Sequence, residues 1–404
     1  MMKRIYLQKA KNQIARPNTI RDINRQIVLS YIRESSPISR AEIARETNLQ
    51  RSSVSSIVDS LQMTGLIEEI GSGQSSGGRK PTLLKLKTGT PVALGVDVTP
   101  RKITIALSDL AGQVLDKEVI PISSDLDFIS GQILQKISEI IGRHPETNEE
   151  LEVGISIPGI ADQAKGESIY IPYFQWSNWD ISCQITKKFG LPVTIDNDAN
   201  AIALAELWFG NEKIRKYSNF ITVLIGEGVG TGIIFDGQIY RGESGAAGEF
   251  GHMTVGVDGP VQCSCGNYDC WEAHASEKAI IARYHRLHNA RMLNTSGMDI
   301  GQLIGLANIG EESAVAALKE TARYLGMGLS NLIVGFSPQA IVVSGAITKA
   351  WDLISEEVEA VAERSIRHDL PKTVIIPSSL GENPTLMGAL SIVLARKFAS
   401  ASRN

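Results

Sequence analysis

Three of the four cysteines in this 404-residue chain, Cys263, Cys265 and Cys270, fall within eight residues of one another, and His252 shortly precedes them. Three thiolates and one imidazole complete a tetrahedral zinc site that has no open coordination position, and such a closed site is structural. The spacing therefore predicts a structural Zn²⁺ site. The alternative interpretation is three unmetallated thiols.

Polar side chains that hydrogen-bond well occur at three further places. Asn197 and Asp198 follow a predicted strand and open an apolar helix, where residues of these types also serve simply as helix caps. Glu249 and His252 lie in a segment of small residues that lets the backbone approach a ligand closely, and Glu272 follows the cysteines. These residues predict a polar ligand site.

Two segments give weaker signals. The glycine run 226–232 lies between two predicted strands and is typical of a phosphate-cradling turn, although a glycine run alone is not specific. The aromatic segment 170–180 contains Trp176 and Trp179, which bear either on ligand selectivity or on core packing; core packing is the favoured role.

The N-terminal part of the chain has the charge and the helix pattern of a DNA-binding head. Residues 1–90 hold 15 Lys and Arg against 7 Asp and Glu, whereas the remainder holds 25 against 37. An apolar helical stripe begins near Ile20, Ser39 and Glu42 form a capping box, and a further helix is predicted from about Arg51 to Met63. Two predicted strands then flank a Gly/Ser-rich loop, so the order is that of a winged helix-turn-helix.

The last helix of this head is the predicted DNA reader, because its N-terminal face carries short hydrogen-bonding side chains and one guanidinium. The predicted DNA-binding residues are Gln50, Arg51, Ser52, Ser53 and Ser55 on the helix, with Arg79 and Lys80 at the tip of the wing. The alternative is a three-helix domain that binds protein.

The body of the chain shows two related α/β patterns, each of which starts with a three-stranded meander. The predicted strands are 92–98, 103–108 and 114–120 in the first pattern and 220–225, 232–235 and 238–241 in the second. They predict two lobes with a ligand cleft between them. We expect domains at 1–88, at 89–215 with about 378–404 as a smaller lobe, and at 216–377 as a larger lobe with the zinc site.

Composition limits the remaining function classes. The chain is 43% hydrophobic and 21% charged, which is typical of a globular protein and excludes a disordered one. It contains no apolar run of membrane-spanning length, and no apolar core follows the basic start. A cytoplasmic protein without a membrane partner is therefore expected.

Together these motifs resemble the ROK family of bacterial sugar kinases and sugar-responsive repressors. The family element C-x-C-G-x-x-G-C-x-E matches 263–272 with Asp269 in place of the second glycine, G-E-x-G-H matches 248–252, and N-D-A-N matches 197–200. The winged helix and the G-G-R-x-P linker at 77–81 resemble the repressor branch. The resemblance implies a winged helix-turn-helix followed by an α/β two-lobed, actin-like (ribonuclease H-like) ATPase fold.

The resemblance also implies that a carbohydrate binds in the cleft, with buried donors and acceptors on its hydroxyls. The residues implied for this role are Gly159, Asn197, Asp198, Glu249, His252 and Glu272. His252 would serve twice, with one ring nitrogen on zinc and the other toward a hydroxyl, so that the metal fixes its orientation.

Kinase activity is expected to be lost. The family's kinases carry D-x-G-G-T in the first hairpin, where this chain has Asp-Val-Thr-Pro-Arg at 97–101, and Pro100 has no N–H to offer a phosphate. Glu227 stands in the second phosphate loop where the kinases favour threonine, and a carboxylate repels phosphate. Asp198, the general base of the kinases, is then kept for binding. The alternative is an active ATP-dependent sugar kinase that carries a DNA-binding head.

The expected partners are double-stranded operator DNA and a monosaccharide or related effector. A homodimer or a dimer of dimers would place two winged helices on two half-sites, and sugar binding would close the lobes and change their spacing. Operator and sugar must then weaken each other's binding by the same factor, typically about 5–150-fold. Some relatives are controlled by a regulatory protein, so a protein partner stays open as well.

Overall fold

The computed structural model describes residues 17–73, 80–145, 151–163, 165–243, 245–288, 297–365 and 371–399. These residues form two compact units. The first comprises the chain up to Ile155, Ile181–Thr194 and the chain from Ala389, and the second comprises Ser156–Asp180 and Ile195–Gly388. This grouping differs from the predicted domains, which placed 195–215 in the smaller lobe, so those boundaries stay a prediction.

No helix in the described ranges is both long enough and apolar enough to span a lipid bilayer.

The N-terminal head has the predicted order of helices and strands. Its elements are α1 (Pro17–Ser35), β1 (Ile38–Ser39), α2 (Arg40–Thr47), α3 (Arg51–Met63), β2 (Ile67–Ser72) and β3 (Thr82–Leu86). The strands form one antiparallel sheet in the order β1-β3-β2. The predicted bounds of the reader helix α3 are confirmed.

Local interactions fix the position of α3 in the head. Ser39 and Glu42 form the predicted capping box at the start of α2. Arg40 then reaches from α2 to Asp59 on α3, with 2.6 Å between Nη1 and Oδ1. Gly65 follows the helix with φ +71°, a left-handed conformation that ends α3. The C-terminal half of the reader helix is therefore fixed by the contact with α2 and by the glycine that ends the helix.

The next part of the chain builds one five-stranded sheet and one small sheet. Its elements are β4 (Ala93–Val98), β5 (Lys102–Ser108), β6 (Val114–Pro121), α4 (Leu126–Arg143), β7 (Glu152–Ile157), β8 (Ile160–Asp162), β9 (Glu167–Ile171), β10 (Trp176–Trp179), α5 (Ile181–Phe189), β11 (Val193–Asn197), α6 (Asp198–Phe209) and α7 (Glu212–Arg215). The sheets have the orders β11-β7-β4-β5-β6 and β10-β9-β8.

A second five-stranded sheet follows with the order β14-β13-β12-β15-β16. The elements of this part are β12 (Phe220–Ile225), β13 (Val229–Phe235), β14 (Gln238–Tyr240), α8 (Trp271–Ala275), α9 (Glu277–Leu287), α10 (Ile300–Asn308), α11 (Glu312–Phe336), β15 (Ala340–Ser344), α12 (Trp351–Ala362), β16 (Val374–Pro377) and α13 (Pro384–Ala399). Both sheets contain the predicted antiparallel meander. The strand predicted at 232–235 begins earlier, at Val229, so half of the glycine run is strand rather than turn.

Helix α6 carries a buried carboxyl group. Glu206 is 0% exposed, and the hydroxyl of Ser378 donates a hydrogen bond to its Oε1. Burial raises the pKa of Glu206 to about 7, because a carboxylate without water is disfavoured. The folded protein therefore keeps a proton on Glu206 over a pH range in which the unfolded chain has released it.

We expect this proton to make stability fall as pH rises from about 4.5 to about 7 and to stay level above that range. Glu206→Gln should remove the dependence and stabilise the protein by about 3 kcal/mol at pH 8. Denaturant unfolding at pH 5 and pH 8 measures this difference, and Glu356→Gln, at an exposed position of α12, is the control. An unchanged pH dependence in the Glu206 variant would show that the buried carboxyl is already ionised.

Candidate ligand and metal sites

Two glycines on one face of β13 let helix α6 lie directly on the strand. A Cβ added to Gly230 would lie 2.9 Å from the Cβ of Ala199 and 3.9 Å from Oδ1 of Asp198. A Cβ added to Gly232 would overlap the carbonyl oxygen of Ala199. Much of the glycine run thus serves close helix–strand packing, and this packing places Asp198 above the strand.

Asn197 is the cap of α6, as one of the two sequence interpretations proposed. Its side-chain oxygen accepts hydrogen bonds from the backbone N–H groups of Ala199 and Asn200, at 2.9 and 3.3 Å. Its Nδ2 donates to the carbonyl oxygen of Gly159 at 3.0 Å. A Cβ at Gly159 would overlap the carbonyl of Tyr170, so the glycine is a steric requirement.

A buried ion pair holds the turn that presents these residues. Asp196 is 2% exposed, and the guanidinium of Arg241 contacts its Oδ2 at 2.7 and 3.0 Å. The other oxygen of Asp196 accepts a hydrogen bond from Asn200 at 3.2 Å. The end of β11 is therefore tied to residues on both sides of it, which limits the motion of Asn197 and Asp198.

Glu249 and His252 lie on a short segment that runs along the outer edge of β13. A Cβ at Gly248 would overlap the carbonyl oxygen of Thr231, and one at Gly251 would overlap that of Val229. The small residues of this segment thus allow it to approach the strand, where the sequence had suggested an approach to a ligand. The Nε2 atom of His252 lies 3.6 Å from Oε2 of Glu249.

The predicted metal ligands come together in one cluster. Thr254 pairs with Cys270 in an isolated β-bridge, and the N–H of Trp271 donates to the carbonyl of Met253 at 2.8 Å, which brings His252 beside the cysteine loop. The potential ligand atoms of His252, Cys263, Cys265 and Cys270 all lie within 4.8 Å of one another.

The donor set fits a tetrahedral metal ion that takes thiolates and imidazole. The Nδ1 atom of His252 lies 3.2 Å from Sγ of Cys263, and the sulfurs of Cys265 and Cys270 are 3.4 Å apart. A tetrahedron with metal–sulfur distances of about 2.3 Å has donor–donor edges of about 3.8 Å, close to these separations. Nε2 of the same imidazole faces Glu249, as in a carboxylate–histidine–metal arrangement.

Glu272 joins the metal cluster to β13. Its Oε1 accepts hydrogen bonds from the backbone N–H and the hydroxyl of Ser264, at 3.0 Å each. Its Oε2 accepts from the N–H of Val229 at 3.3 Å. A Cβ on Gly228 would lie 2.5 Å from both Glu272 Oε2 and the hydroxyl of Tyr173. Glu272 thus connects the cysteine loop to the strand through hydrogen bonds on both of its carboxylate oxygens.

A cavity of about 300 Å³ opens beside Glu272. Its lining residues are Tyr170, Pro172, Tyr173, Gln175, Glu227, Val261, Gln262, Ser264, Glu272, Ser276 and Lys278. Glu272 is the predicted carbohydrate residue in this wall. The sequence analysis missed Tyr173 and Lys278, and the aromatic run 170–180 was the only signal near Tyr173.

The favoured interpretation of the aromatic run, core packing, holds for its two tryptophans but not for its tyrosines. Trp176 and Trp179 are 4% and 2% exposed, and their ring centroids are 5.3 Å apart. Both indoles therefore pack in the core. Tyr170 and Tyr173, in contrast, line the cavity.

The predicted DNA-binding residues of α3 lie on its accessible side. Gln50, Arg51 and Ser52 are exposed and Ser53 and Ser55 are half-buried. The buried residues of the helix are Val54, Ile57, Val58 and Leu61. Gln50 is the N-cap and makes no side-chain cap hydrogen bond, so the first N–H groups of α3 remain available to a phosphate. Lys80 is exposed, and Arg79 lies outside the described residues.

The hairpin between β4 and β5 is closed by its own hydrogen bonds. The N–H and the hydroxyl of Thr99 both donate to the carbonyl of Lys102, at 3.0 and 2.7 Å. The N–H of Lys102 in turn donates to the hydroxyl of Thr99 at 3.2 Å. Since Pro100 has no N–H, the turn has little backbone donor capacity left for a phosphate.

The reader helix and the α/β body with its Cys₃His cluster define a class of protein, namely a winged-helix head joined to an actin-like body. The chain belongs to the ROK family, whose sequence profile matches residues 93–396. The profile of the MarR family matches residues 27–75 of the head. The predicted family and fold class are thereby confirmed.

Two repressors are similar to this chain over almost its whole length. The xylose repressor of Bacillus spizizenii is 35% identical over 386 residues, 94% of this chain and 97% of that protein. The N-acetylglucosamine repressor of Escherichia coli O157:H7 is 30% identical over 94% of each chain.

Two solved structures share the fold. A ROK family transcriptional regulator, described as a homolog of the E. coli MLC protein, has a TM-score of 0.77 and 26% identity over 94% of this chain and 97% of that one. A ROK family glucokinase from Streptomyces griseus, in complex with glucose and AMPPNP, has a TM-score of 0.65 and 27% identity over 74% and 98%.

Gly328 gives a direct test of how the cysteine loop, residues 263–270, is anchored. Trp271 is fully buried between Cys270 and Glu272, and a Cβ at Gly328 on α11 would overlap its indole ring. Gly328→Ala should therefore destabilise the protein by about 1–3 kcal/mol. Gly335→Ala, in the same helix but with open space around it, should be neutral or stabilising by up to about 1 kcal/mol. Denaturant unfolding of both variants measures the difference, and equal effects would contradict the proposed fit.

Proposed function

We propose that this chain is a sugar-responsive transcriptional repressor. The two repressors described above match almost the whole chain, and the head presents an exposed reader helix with an uncapped N-terminus. The observation that carries the proposal is the combination of this helix with a body whose first phosphate hairpin is closed by its own hydrogen bonds. Such a chain binds operator DNA and reports on a carbohydrate.

Operator DNA binds through α3 in the major groove, with the wing beside it. Arg51 and the serines of the first turn contact base edges and phosphates, and Lys80 adds a phosphate contact. A homodimer or a dimer of dimers places two heads on two half-sites. A regulatory protein is a further candidate partner, because it would act on the same equilibrium between operator-bound and free repressor as the effector does.

The carbohydrate binds beside the start of β13, where Asp198 stands over Gly230 and Glu272 faces Gly228. Asp198 and Glu249 accept hydrogen bonds from hydroxyls, and the Nε2 side of His252 offers a further polar group. Gly159 and Asn197 shape the adjacent turn. Glu272 bounds the binding site on the side of the cysteine loop. All six residues belong to the second unit, and a position in a cleft between the lobes stays a prediction. Sugar binding lowers operator affinity, and operator binding lowers sugar affinity equally.

Phosphoryl transfer is absent in this proposal. Positioning and charge stabilisation supply almost all of the catalysis of that reaction, and both need donors aimed at the phosphates. The Thr99–Lys102 turn uses its donors internally, and Glu227 adds a negative charge in the second loop. Asp198 is retained as a hydrogen-bond acceptor for the sugar.

We therefore expect no ADP above background when the protein is incubated with ATP, magnesium and a panel of hexoses and pentoses. A coupled ADP assay measures the rate. Turnover in the usual enzyme range of about 1–1000 per second would establish the alternative, an active sugar kinase with a DNA-binding head.

Zinc is the metal we propose for the Cys₃His cluster. His252, Cys263, Cys265 and Cys270 would hold it, and a closed set of four protein ligands supplies structural stability rather than a reactive water. The cysteine loop then keeps Ser264 in place to donate to Glu272, and His252 keeps its Nε2 toward Glu249.

Cys265→Ser should remove the bound metal and lower the melting temperature, because a ligand that binds only the folded state stabilises it. Metal analysis and thermal unfolding of the purified protein measure both effects. Cys183→Ser, the same substitution at an exposed cysteine outside the cluster, should change neither. Purified wild-type protein without zinc would contradict the assignment.

Two variants separate the proposed functions of the head and the body. Arg51→Ala should weaken operator binding by about 10-fold or more with sugar affinity unchanged, since one side chain of this kind contributes about 1–3 kcal/mol. Asp198→Asn should weaken sugar binding and leave operator binding intact. Mobility shift and calorimetry measure the two affinities, and each variant is the folding control for the other. Operator binding that does not respond to salt would argue against DNA recognition.

A further inference from the structure

Two carboxylates and one lysine are the charged groups that line the cavity beside Glu272. Glu227 and Glu272 both line it, together with Tyr173. Asp198 stands over Gly230, two residues along the same face of β13 from the glycine that faces Glu272, which corresponds to about 7 Å of strand. Three negative charges therefore lie around the place proposed for the sugar.

The surroundings of Tyr173 are a second sign of this negative potential. Burial raises the pKa of the Tyr173 hydroxyl most, because it disfavours the phenolate. The charges of Glu272, Asp198 and Glu227 raise the same pKa further. The negative charge of a ligand placed beside Tyr173 would meet the same repulsion from these three carboxylates.

Lys278 is the cation in the described wall of the cavity, and it is already engaged. Its Nζ lies 3.2 Å from Oε2 of Glu227 and 5.0 Å from the centroid of the Tyr173 ring. The ion pair and the aromatic face hold the ammonium group at one side of the cavity. Lys278 thus fixes the position of the Glu227 carboxylate and is not left over for a ligand phosphate.

We propose that this site selects a neutral, unphosphorylated sugar and rejects sugar phosphates, with Glu227 as the excluding residue and Lys278 as the residue that positions it. The inference rests on the proposed function, because it concerns the effector of the same site. Carboxylates accept hydrogen bonds from the hydroxyls of a neutral sugar. A phosphate monoester carries a charge of about −1.5 to −2 at neutral pH, and like charges placed together cost several kcal/mol.

The experiment compares each neutral sugar with its own phosphate ester on the full-length protein. Calorimetry with D-xylose, D-glucose and N-acetylglucosamine, and with a monophosphate of each, gives the ratio of the two affinities. We expect one neutral sugar to bind and its phosphate to bind about 100-fold more weakly or not at all. The ratio of the two affinities should decrease at high salt, because salt screens the repulsion between the phosphate and the carboxylates.

Two kinds of substitution test the roles of the ion pair. Glu227→Gln keeps the size of the side chain and removes the charge, so it should reduce the discrimination by about 10-fold or more. Glu227→Thr removes the same charge with a different side chain and guards against a folding defect in one variant. Lys278→Met should leave the phosphate ester excluded, whereas a lysine that binds ligand phosphate would lose affinity for it. Operator binding by mobility shift is the control for folding.

The outcomes distinguish this inference from the proposed function. A sugar phosphate that binds as tightly as its neutral form, and that releases the operator, would overturn the inference and leave the repressor proposal standing. Discrimination that persists unchanged in both Glu227 variants would overturn the role of Glu227. Operator binding that no sugar of either kind affects would overturn the sugar-responsive function and the inference with it.

Discussion

The close approach of α6 to β13 is the interaction on which the candidate site depends. Glycines at 230 and 232 leave no side chain between the strand and the helix, so Ala199 touches the strand backbone and Asp198 projects over it. The buried Arg241–Asp196 pair then fixes the turn into the helix. Any side chain larger than glycine at these strand positions would lift the helix and move every polar group that the helix presents.

The metal cluster and the ligand site share their supporting residues. Glu272 accepts hydrogen bonds from Ser264 in the cysteine loop and from the N–H of Val229 at the start of β13. His252 points one ring nitrogen at the cysteines and the other at Glu249. A change in the cysteine loop is therefore transmitted to two candidate sugar contacts, to Glu272 through the hydrogen bonds from Ser264 and to Glu249 through His252.

Local signals in the sequence were sufficient for much of the fold. The bounds of α3, the Ser39–Glu42 capping box and the two meanders each depend on residues close together in the chain, and the structure confirms them. The Cys₃His grouping was also predictable, because metal ligands are few in type and fixed in geometry. The match of the family profile then confirms the predicted family.

Features that depend on packing between distant segments were not predictable. The glycine run 226–232 resembled a phosphate cradle, yet two of its glycines allow α6 to pack against the strand. Outside the run, Gly248 and Gly251 allow their segment to pack against the backbone of β13. The ion pair of Glu227 with Lys278 joins residues about fifty positions apart, and no periodic pattern marks it. Sequence alone showed Glu227 as a repelling charge, and the structure adds the cation that holds it.

Trp271 and Gly328 show how such a distant contact constrains the evolution of the chain. The indole occupies the space that a methyl group at 328 would need, and its N–H donates to the carbonyl of Tyr324 one turn earlier on α11. Neither position is free to change alone: a smaller aromatic would open a void, and a larger residue at 328 would expel the ring. Among homologues these two sites should therefore covary, with bulk at one compensated by its absence at the other.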